Sequence, residues 1–395
     1  MDYFTRLKRR YATELETGVI PFWLKNGIDR EYGGFFSFLE RDGTLYDTRK
    51  PLWMQWRAVY MFAALFNRYG KEEFLEAAKQ GFDFLVRYGR TEEGNYAFML
   101  DREGKILSEK EGGAEVFSES FAAIAAAELF LACGEKRYEE ESFRSLNTYL
   151  CNTAEKPGTL WVPLAYPMIL LNVLSVMQHA FGEKIGEEEI RKCVEKIFSF
   201  LHPEKGIFLE NRHPDGSFDL DCQTGRFSNP GHALEGMAFV LDVLRQRKEK
   251  DPAFVKKFLP AALACTERTF RFGWDQEQGG IFYFRDILDK PLVKNECMLK
   301  AWWPQNEAAT AMLRAYEASG EEKFLDFFEK IDAFSFLYLK DPLYPEWFAY
   351  AAVEGRQVHS YKASMWKGFF HLPRFLLNGI RICERLEGKE SGKTV

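Results

Sequence analysis

Apolar residues recur at a spacing close to 3.6 residues along most of the chain, a pattern that predicts helices. About twelve helical segments are indicated, at 2–25, 53–69, 72–89, 115–133, 136–150, 161–181, 187–201, 230–248, 252–272, 302–319, 321–338 and 362–386. The links between them alternate in length. Short links, at 69–72, 133–136 and 319–322, carry the glycine expected just past a helix end, whereas the longer links are glycine-rich and several are strand-like.

The long links resemble one another. Those at 29–43, 92–104, 203–216, 275–287 and 344–355 each place an acidic or glycine turn before alternating aromatic residues, and an Asp-Gly or Glu-Gly hairpin turn follows. The repeat anchors are Gly33, Gly94, Gly206, Gly279 and Glu346, with spacings of 61, 112, 73 and 67 residues. The longest spacing is about two periods and contains a degenerate copy near Gly158. The chain therefore divides into six units of two helices each.

Six helix pairs with alternating links predict an all-α fold, an (α/α)6 barrel with an inner ring of helices inside an outer ring. We expect one domain over residues 1–395, with short β-hairpins in the long loops at one end. An open solenoid is the alternative, because stacked helix pairs repeat at a similar period. In the barrel, the helices that begin near 53, 115, 161, 230, 302 and 362 all start at the end formed by the long links, so that their first turns converge on one cavity.

One of these first turns contains the sequence Asn-Pro-Gly-His. Asn229 and Pro230 have the character of a helix N-cap and first helical residue, which places His232 in the first turn. Glu235, three residues later, shares its helix face. A carboxylate beside an imidazole orients the ring and raises its pKa, as acid/base chemistry requires. A structural hydrogen bond is the alternative interpretation of this pair.

Other first turns place charged or titratable groups among aromatic residues. In isolation, an arginine on aromatic residues indicates surface packing and a tryptophan pair indicates core, but the convergence of these groups at one mouth favours a ligand site. Besides His232 and Glu235, the candidate residues are Arg57, Tyr60, Trp302, Trp303, Glu307, Trp366 and His371.

Composition narrows the possible partners. The chain has 53 Lys and Arg against 59 Asp and Glu, a net charge of −6 with both signs interspersed, which argues against nucleic acid or an anionic membrane. The amino-terminal stretch lacks the apolar core of a secretory signal, and the seven cysteines are scattered, so we expect a cytosolic protein. No metal-ligand spacing is present. Aromatic residues make up 16% of the chain, as suits a pocket for sugar-like ligands.

Six segments, in this order along nearly the whole chain, resemble the N-acylglucosamine 2-epimerase family: "YGGFFSFLERDG", "WMQWRAVYMF", "NPGHALEGMAF", "GGIFYFRD", "KAWWPQNEAATAML" and "WKGFFHLPR". The resemblance implies an (α/α)6-barrel sugar epimerase that interconverts N-acyl-D-glucosamine and N-acyl-D-mannosamine, by removing and returning the C2 proton of the ring-opened sugar. His232 and His371 would be the acid and base, Arg57 the cation that steadies the open-chain sugar, and Glu235 the partner of His232. The residues implied to contact the substrate are Glu307, Trp302, Trp303, Tyr60 and Trp366.

Several alternatives stay open at this point. A cellobiose 2-epimerase or mannose isomerase would use the same family architecture. A glycosidase on this fold would need two carboxylates, with Glu115, Glu119, Glu235 and Asp275 as candidates, and a non-catalytic sugar-binding scaffold would need no acid or base. The proposed chemistry requires no metal or redox cofactor, although the resemblance implies a nucleotide such as ATP as an activator. A small sugar is the expected partner, and phenylalanine-rich outer helices are compatible with a homodimer.

Overall fold

The computed structural model describes residues 2–294 and 296–391, and most of them lie in helices. A first helical stretch consists of α1 (Tyr3–Thr13), a π-helical segment (Glu14–Val19) and α2 (Ile20–Asn26). The other helices are α3 (Leu52–Tyr69), α4 (Glu72–Tyr88), α5 (Val116–Cys133), α6 (Lys136–Thr153), α7 (Ala165–Phe181), α8 (Glu187–Phe198), the short α9 (Gln223–Arg226), α10 (Pro230–Gln246), α11 (Pro252–Gly273), α12 (Trp302–Ser319), α13 (Glu322–Tyr338) and α14 (His371–Ser391).

The helices form two concentric rings. Helices α3, α5, α7, α10, α12 and α14 pack side by side in this order. The ring closes between α14 and α3, where Arg68 pairs with Glu384 and the Phe62 ring contacts Phe369. Outside it, α4, α6, α8, α11, α13 and α1 each pack mainly on one inner helix. The predicted (α/α)6 barrel is therefore confirmed, and the open solenoid is excluded.

Short antiparallel strands join the long links at one end of the barrel. They are β1 (Lys50–Pro51), β2 (Met99–Leu100), β3 (Ile106–Ser108), β4 (Val162–Pro163), β5 (Asn211–Arg212), β6 (Phe227–Ser228), β7 (Arg285–Asp286), β8 (Lys300–Ala301) and β9 (Tyr350–Ala351). The sheets have the orders β1-β2-β3, β4-β5, β6-β7 and β8-β9. Among these strands only β2 and β3 pair within one link, and the other pairs connect one long link to the next. These strands hold neighbouring links together around the mouth.

The repeat anchors share a backbone conformation. Gly33, Gly94, Gly206 and Gly279 have φ angles of 94°, 86°, 63° and 77°, and Gly158 in the degenerate copy has φ 84°. Glu346, the one anchor that is not glycine, also has a positive φ, of 67°. An L-residue pays a steric penalty there. The Glu346 side chain compensates, because its carboxylate accepts hydrogen bonds from the Trp23 indole and the Lys367 ammonium.

Repeated polar contacts fasten the links to the barrel. In three units, a buried lysine donates both to an aspartate of the preceding turn and to a backbone carbonyl of that turn. The aspartate–lysine pairs are Asp29–Lys50 (3.0 Å), Asp275–Lys300 (3.0 Å) and Asp341–Lys362 (2.8 Å). Because each pair is buried and hydrogen-bonded, it fixes the link that carries it relative to the mouth.

Two predicted helix starts are wrong. The last helix begins at His371 rather than at 362, because Lys362 and Lys367 use their ammonium groups to bind Asp341 and Glu346 and hold the intervening segment as a loop. The third mouth helix begins at Ala165 rather than at 161, since residues 162–163 pair as strand β4.

Helix α5 is long and apolar enough to cross a membrane by composition, with a mean hydropathy of 1.6. It is an inner-ring helix, however, and 61% of that window is buried inside the protein. Its apolar character follows from contact with neighbouring helices on several sides, as expected for the core of a barrel.

Candidate active site

A cavity of about 260 Å³ opens where the inner helices begin, inside the ring of long links. Its wall is mostly aromatic and aliphatic, with a few polar groups directed into it, as in many small-molecule sites. Seven of the nine sequence candidates line it: Arg57, His232, Glu235, Trp302, Trp303, Trp366 and His371. Tyr60 and Glu307 do not.

His371 is the first residue of α14 and is buried. Its Nδ1 atom lies 2.8 Å from Oε1 of Glu307, and its ring packs 5.6 Å from the ring of Trp303. Burial lowers the pKa of His371 well below its ordinary value, and the positive charges of Arg57 and Arg374 act in the same direction, against the charge of Glu235. A neutral imidazole with one nitrogen fixed by Glu307 is suited to accept a proton.

His232 occupies the first turn of α10, as predicted. The Asn229 side chain accepts the His232 backbone N–H and so caps the helix. The imidazole Nδ1 lies 2.8 Å from Oε2 of Glu210, and the ring is 5.1 Å from Trp303. Although burial alone would lower the pKa of His232, the Glu210 carboxylate outweighs it and raises the pKa above its ordinary value. The two histidines thus face one cavity with opposite pKa shifts.

The predicted partner of His232 is wrong. Glu235 shares the helix face of His232 and lines the cavity, but its carboxylate accepts a hydrogen bond from Arg374. Glu210, in the link before α10, takes the predicted role instead. Glu235 still acts on both histidines through its charge, which raises the pKa of each.

Glu307, for which contact with the substrate was predicted, does not line the cavity. Its carboxylate holds Nδ1 of His371 and accepts a hydrogen bond of 2.6 Å from Arg374, so it lies behind the imidazole rather than facing a sugar. Glu235, Glu307 and His371 bring donor atoms within 4.8 Å of one another, a spacing that a metal ion could use. Here the Arg374 guanidinium bonds to both carboxylates and provides the positive charge.

Arg57 lies in an aromatic cage. Its guanidinium carbon is 4.7 Å from the ring centre of Trp53, 4.2 Å from that of Phe121 and 4.8 Å from that of Phe370. Among the described residues no carboxylate lies within ion-pair distance, and its buried Nε has no hydrogen-bond partner. Burial lowers the pKa of Arg57, against the charge of Glu235. The group is therefore a buried donor available to an anionic oxygen.

Tyr60, which was predicted to contact substrate, does not line this cavity. Eight residues separate Leu52, where α3 begins, from Tyr60, a rise of about 12 Å along the helix axis. Tyr60 consequently lines a second cavity, of about 620 Å³, at the opposite end of the inner ring.

Two groups that hold the site, Glu210 and Arg374, have no role in the sequence predictions. Glu210 precedes α10 by two short strands, β5 and β6, and the short helix α9, and its only sequence signal is a charged residue beside the buried Leu209. Arg374 lies three residues after His371, and that spacing places both on one face of α14. The apolar wall formed by α5 and α7 was also not predicted.

The carboxylates that a glycosidase would need are dispersed. Of Glu115, Glu119, Glu235 and Asp275, only Glu235 lines this cavity in the part of the chain that the structure describes. Glu115 and Glu119 border a separate cavity, and Asp275 binds Lys300. No second candidate carboxylate thus stands opposite Glu235, as that mechanism requires.

An (α/α)6 barrel whose mouth holds two carboxylate-bound imidazoles and a caged guanidinium is built for acid/base catalysis on a small molecule. The family model for N-acylglucosamine 2-epimerase (GlcNAc 2-epimerase) matches residues 34–373. The chain belongs to the N-acylglucosamine 2-epimerase family and is an epimerase, an enzyme of the isomerase class.

Individual relatives agree with this assignment. The chain is 34% identical to N-acylglucosamine 2-epimerase of Rattus norvegicus, covering 96% of this chain and 92% of that protein. It is also 34% identical to N-acylglucosamine 2-epimerase of Homo sapiens, with 96% and 90% covered. The solved structure of cellobiose 2-epimerase from Spirochaeta thermophila DSM 6192 superposes with a TM-score of 0.82 at 20% identity, covering 97% of this chain and 98% of that one, which supports the fold.

Proposed function

We propose that the protein interconverts N-acyl-D-glucosamine and N-acyl-D-mannosamine by inverting the configuration at C2 of the ring-opened sugar. The observation that carries the proposal is the pair His232 and His371: both imidazoles line one cavity and contact the same Trp303 ring, and their pKa values are shifted in opposite directions. The curated relatives named N-acylglucosamine 2-epimerase support this substrate class.

The proposed reaction begins with the open-chain sugar, because only that form has a carbonyl at C1. Neutral His371 removes the C2 proton, and the electron pair of the C2–H bond forms a C1–C2 double bond while the carbonyl oxygen becomes anionic. The Arg57 guanidinium stabilises that oxygen. Protonated His232 then delivers a proton to the opposite face of C2, and the carbonyl re-forms. In the reverse direction the histidines exchange roles.

The apolar side of the cavity supports an N-acylated substrate. Between α3, which carries Arg57, and α10, which carries His232, helices α5 and α7 contribute Phe117, Met168 and Ile169 to the wall. A hydroxyl group at C2 would lose its hydrogen bonds to water against these side chains, whereas an acyl methyl group would gain from burial. This arrangement favours the proposed substrate over free hexoses.

Solvent isotope incorporation tests the proposed function. The purified protein is incubated in deuterated water with N-acetylglucosamine, N-acetylmannosamine, mannose or cellobiose, and the products are followed by NMR. We expect deuterium at C2 of both N-acetylhexosamines, together with their interconversion. Turnover confined to mannose or cellobiose would favour the alternative epimerase or isomerase, and new reducing ends from an oligosaccharide would favour a glycosidase.

Replacing Arg57 with methionine is expected to lower kcat about 10²- to 10³-fold, the effect typical of removing one oxyanion donor. Methionine keeps an unbranched side chain inside the cage of Trp53, Phe121 and Phe370, so the fold should persist. Steady-state kinetics in both directions measure the loss, with Arg87→Met on the outer helix α4 as the control. An Arg57 variant with the kcat of the parent protein would remove the guanidinium from the mechanism.

We also propose that the second cavity accommodates the nucleotide activator that the family resemblance implies. Five arginines line it, and four of them already pair with carboxylates: Arg245 and Arg314 with Asp242, Arg374 with Glu235 and Glu307, and Arg385 with Glu317. Arg381 has no ion pair among the described residues, and Nε of Arg314 has no hydrogen-bond partner. These two groups fit a phosphate chain.

Calorimetric titration tests the nucleotide proposal without an activity measurement. We expect Arg381→Ala to weaken ATP binding about tenfold or more, since one charge-assisted hydrogen bond is worth roughly 1.5–3 kcal/mol. Arg9→Ala, at an exposed position of outer helix α1, is the control. Unchanged ATP affinity in the Arg381 variant would move the nucleotide away from this cavity.

A cytosolic location and a homodimer complete the proposal. The seven cysteines all lie in described segments and are free thiols, as expected in a reducing compartment. Gel filtration with light scattering measures the oligomeric state.

A further inference from the structure

The unit of α5 lacks the lysine that binds an aspartate in three of the other units. Ile28 and Trp274 each form an isolated antiparallel β-bridge, and Asp29 and Asp275 follow directly after them. These aspartates bind Lys50 and Lys300, which stand two positions before α3 and α12. In the unit of α5, the corresponding positions are Thr91, after the bridge residue Arg90, and Ala114, two positions before α5. No ammonium group of the chain therefore enters this unit from the usual position.

A glutamate stands in the same unit where the units of α3 and α12 have glutamine. Gln55 and Gln305, the fourth residues of α3 and α12, each accept a backbone N–H of the adjoining turn at 2.7 Å and donate back to its carbonyl. Glu119 is the fourth residue of α5, and its Oε1 accepts the Tyr96 N–H at 2.8 Å. Glu119 is 1% exposed, and its Oε2 atom has no hydrogen-bond partner among the described residues.

This unit also carries an excess of buried negative charge. Arg90 serves two buried carboxylates, those of Glu141 and Glu119, and it lies 3.5 Å from the latter. One guanidinium cannot neutralise both. Burial raises the pKa of Glu119 to about 7, so near neutral pH the excess charge is balanced either by a proton on Glu119 or by a cation beside it.

A polar cavity of about 320 Å³ adjoins Glu119 and provides room for such a cation. It contains oxygen atoms suited to cation binding, and the lysines at its edge are exposed to solvent. Besides Glu119, the groups that border it are Thr91, Glu93, Asn95, Tyr96, Glu109, Lys110, Glu115, Val116, Asn152 and Lys156.

We propose that this cavity binds a monovalent cation of ammonium size, K⁺ or NH₄⁺, in competition with a proton on Glu119. The corresponding unit shows the geometry: the Lys50 ammonium lies 3.0 Å from Asp29 and 2.6 Å and 2.7 Å from the carbonyl oxygens of Gly33 and Arg102. In the unit of α5 the Arg90 guanidinium donates to the corresponding carbonyl oxygen, that of Gly94, and the proposed cation lies beside the unpartnered Oε2 atom of Glu119. A single positive charge matches the single unbalanced carboxylate, whereas a divalent ion would need more buried anionic ligands.

Thermal unfolding of the full-length protein tests this site. At about pH 8, where Glu119 is mostly ionised, K⁺ or NH₄⁺ should raise Tm saturably by roughly 1–3 °C relative to tetramethylammonium, at equal ionic strength and with chloride throughout. The methyl groups of tetramethylammonium keep its charge farther from a carboxylate oxygen than K⁺ or NH₄⁺ can approach. At about pH 5.5 the difference should disappear, because a proton then occupies Glu119.

Two variants and a control locate the effect. Glu119→Gln recreates the glutamine that α3 and α12 have at this position and should abolish the cation response. Glu141→Gln removes the carboxylate that competes with Glu119 for Arg90, so it should abolish the cation response too. This second variant keeps the test decisive if Glu119→Gln folds poorly. Glu128→Gln, a matched change on the same helix at the second cavity, should retain it. Equal Tm in all three salts at pH 8, or a full response in the Glu119 and Glu141 variants, would overturn the proposal.

Discussion

Replacing His371 with asparagine should lower kcat by a factor of about 10² to 10⁴, the range for removing one positioned acid or base. The asparagine amide can still donate to Glu307, as the imidazole Nδ1–H does at 2.8 Å, so the position keeps its buried hydrogen bond. No group in the variant can then remove the C2 proton from that face. Steady-state kinetics and circular dichroism should therefore show a large loss of turnover with the fold intact.

The pH dependence of the same variant sharpens the test. In the parent protein the active form needs neutral His371 and protonated His232 in one direction. Because the pKa of His371 is lowered and that of His232 is raised, kcat/KM should fall on the acidic side as His371 gains a proton, and on the basic side as His232 loses one. His371→Asn should lose the acidic limb only.

A control with the same substitution separates chemistry from packing. His202 is also buried, but it lies in the link before α10, outside the cavity, so His202→Asn should retain kcat within a few-fold. If His371→Asn retained activity within tenfold of the parent protein, or kept both limbs of the profile, the two-histidine mechanism would be wrong.

The fold could be predicted because its signals are local and repeated. Helical periodicity located the twelve main helices, and the long links shared a turn residue that the structure places at positive φ in every copy, including Gly158. The start of the last helix was not predictable in this way. Residues 362–370 contain good helix formers, but the buried ammonium groups of Lys362 and Lys367 bind acidic residues far away in sequence, and those contacts override local propensity.

The candidate site was predicted as a group of residues but not as a set of bonds. Convergence of helix starts brought His232, His371 and Arg57 to one cavity, because helix position follows from periodicity. Bond partners depend on side-chain rotamers and on links between helices. The His232 imidazole therefore hydrogen-bonds to Glu210, in the link before α10, rather than to Glu235 on its own helix. Tyr60 shows a related limit, since its distance along α3 decides which cavity it faces.

Replacing Arg374 is expected to lower the free energy of unfolding more than breaking a solvent-exposed ion pair does. Its buried guanidinium bonds to Glu235 and Glu307, and both carboxylates are almost fully buried as well. Arg374→Met keeps the length and apolar stem of the side chain but leaves two carboxylates without their cation. The free energy of unfolding, measured in urea, should fall by about 3–5 kcal/mol, the usual cost of removing one partner of a buried pair.

Two further variants show whether that loss comes from charge. In Arg374→Met combined with Glu235→Gln, one uncompensated carboxylate is gone, so the double variant should regain part of the lost stability and yield a favourable coupling energy between the two positions. Arg68→Met, which breaks the partly exposed pair with Glu384 between α3 and α14, should cost only about 0–1 kcal/mol because solvent screens that pair. If Arg374→Met cost no more than Arg68→Met, the carboxylates beneath His371 would not depend on the guanidinium, and Arg374 would act on the site only through packing.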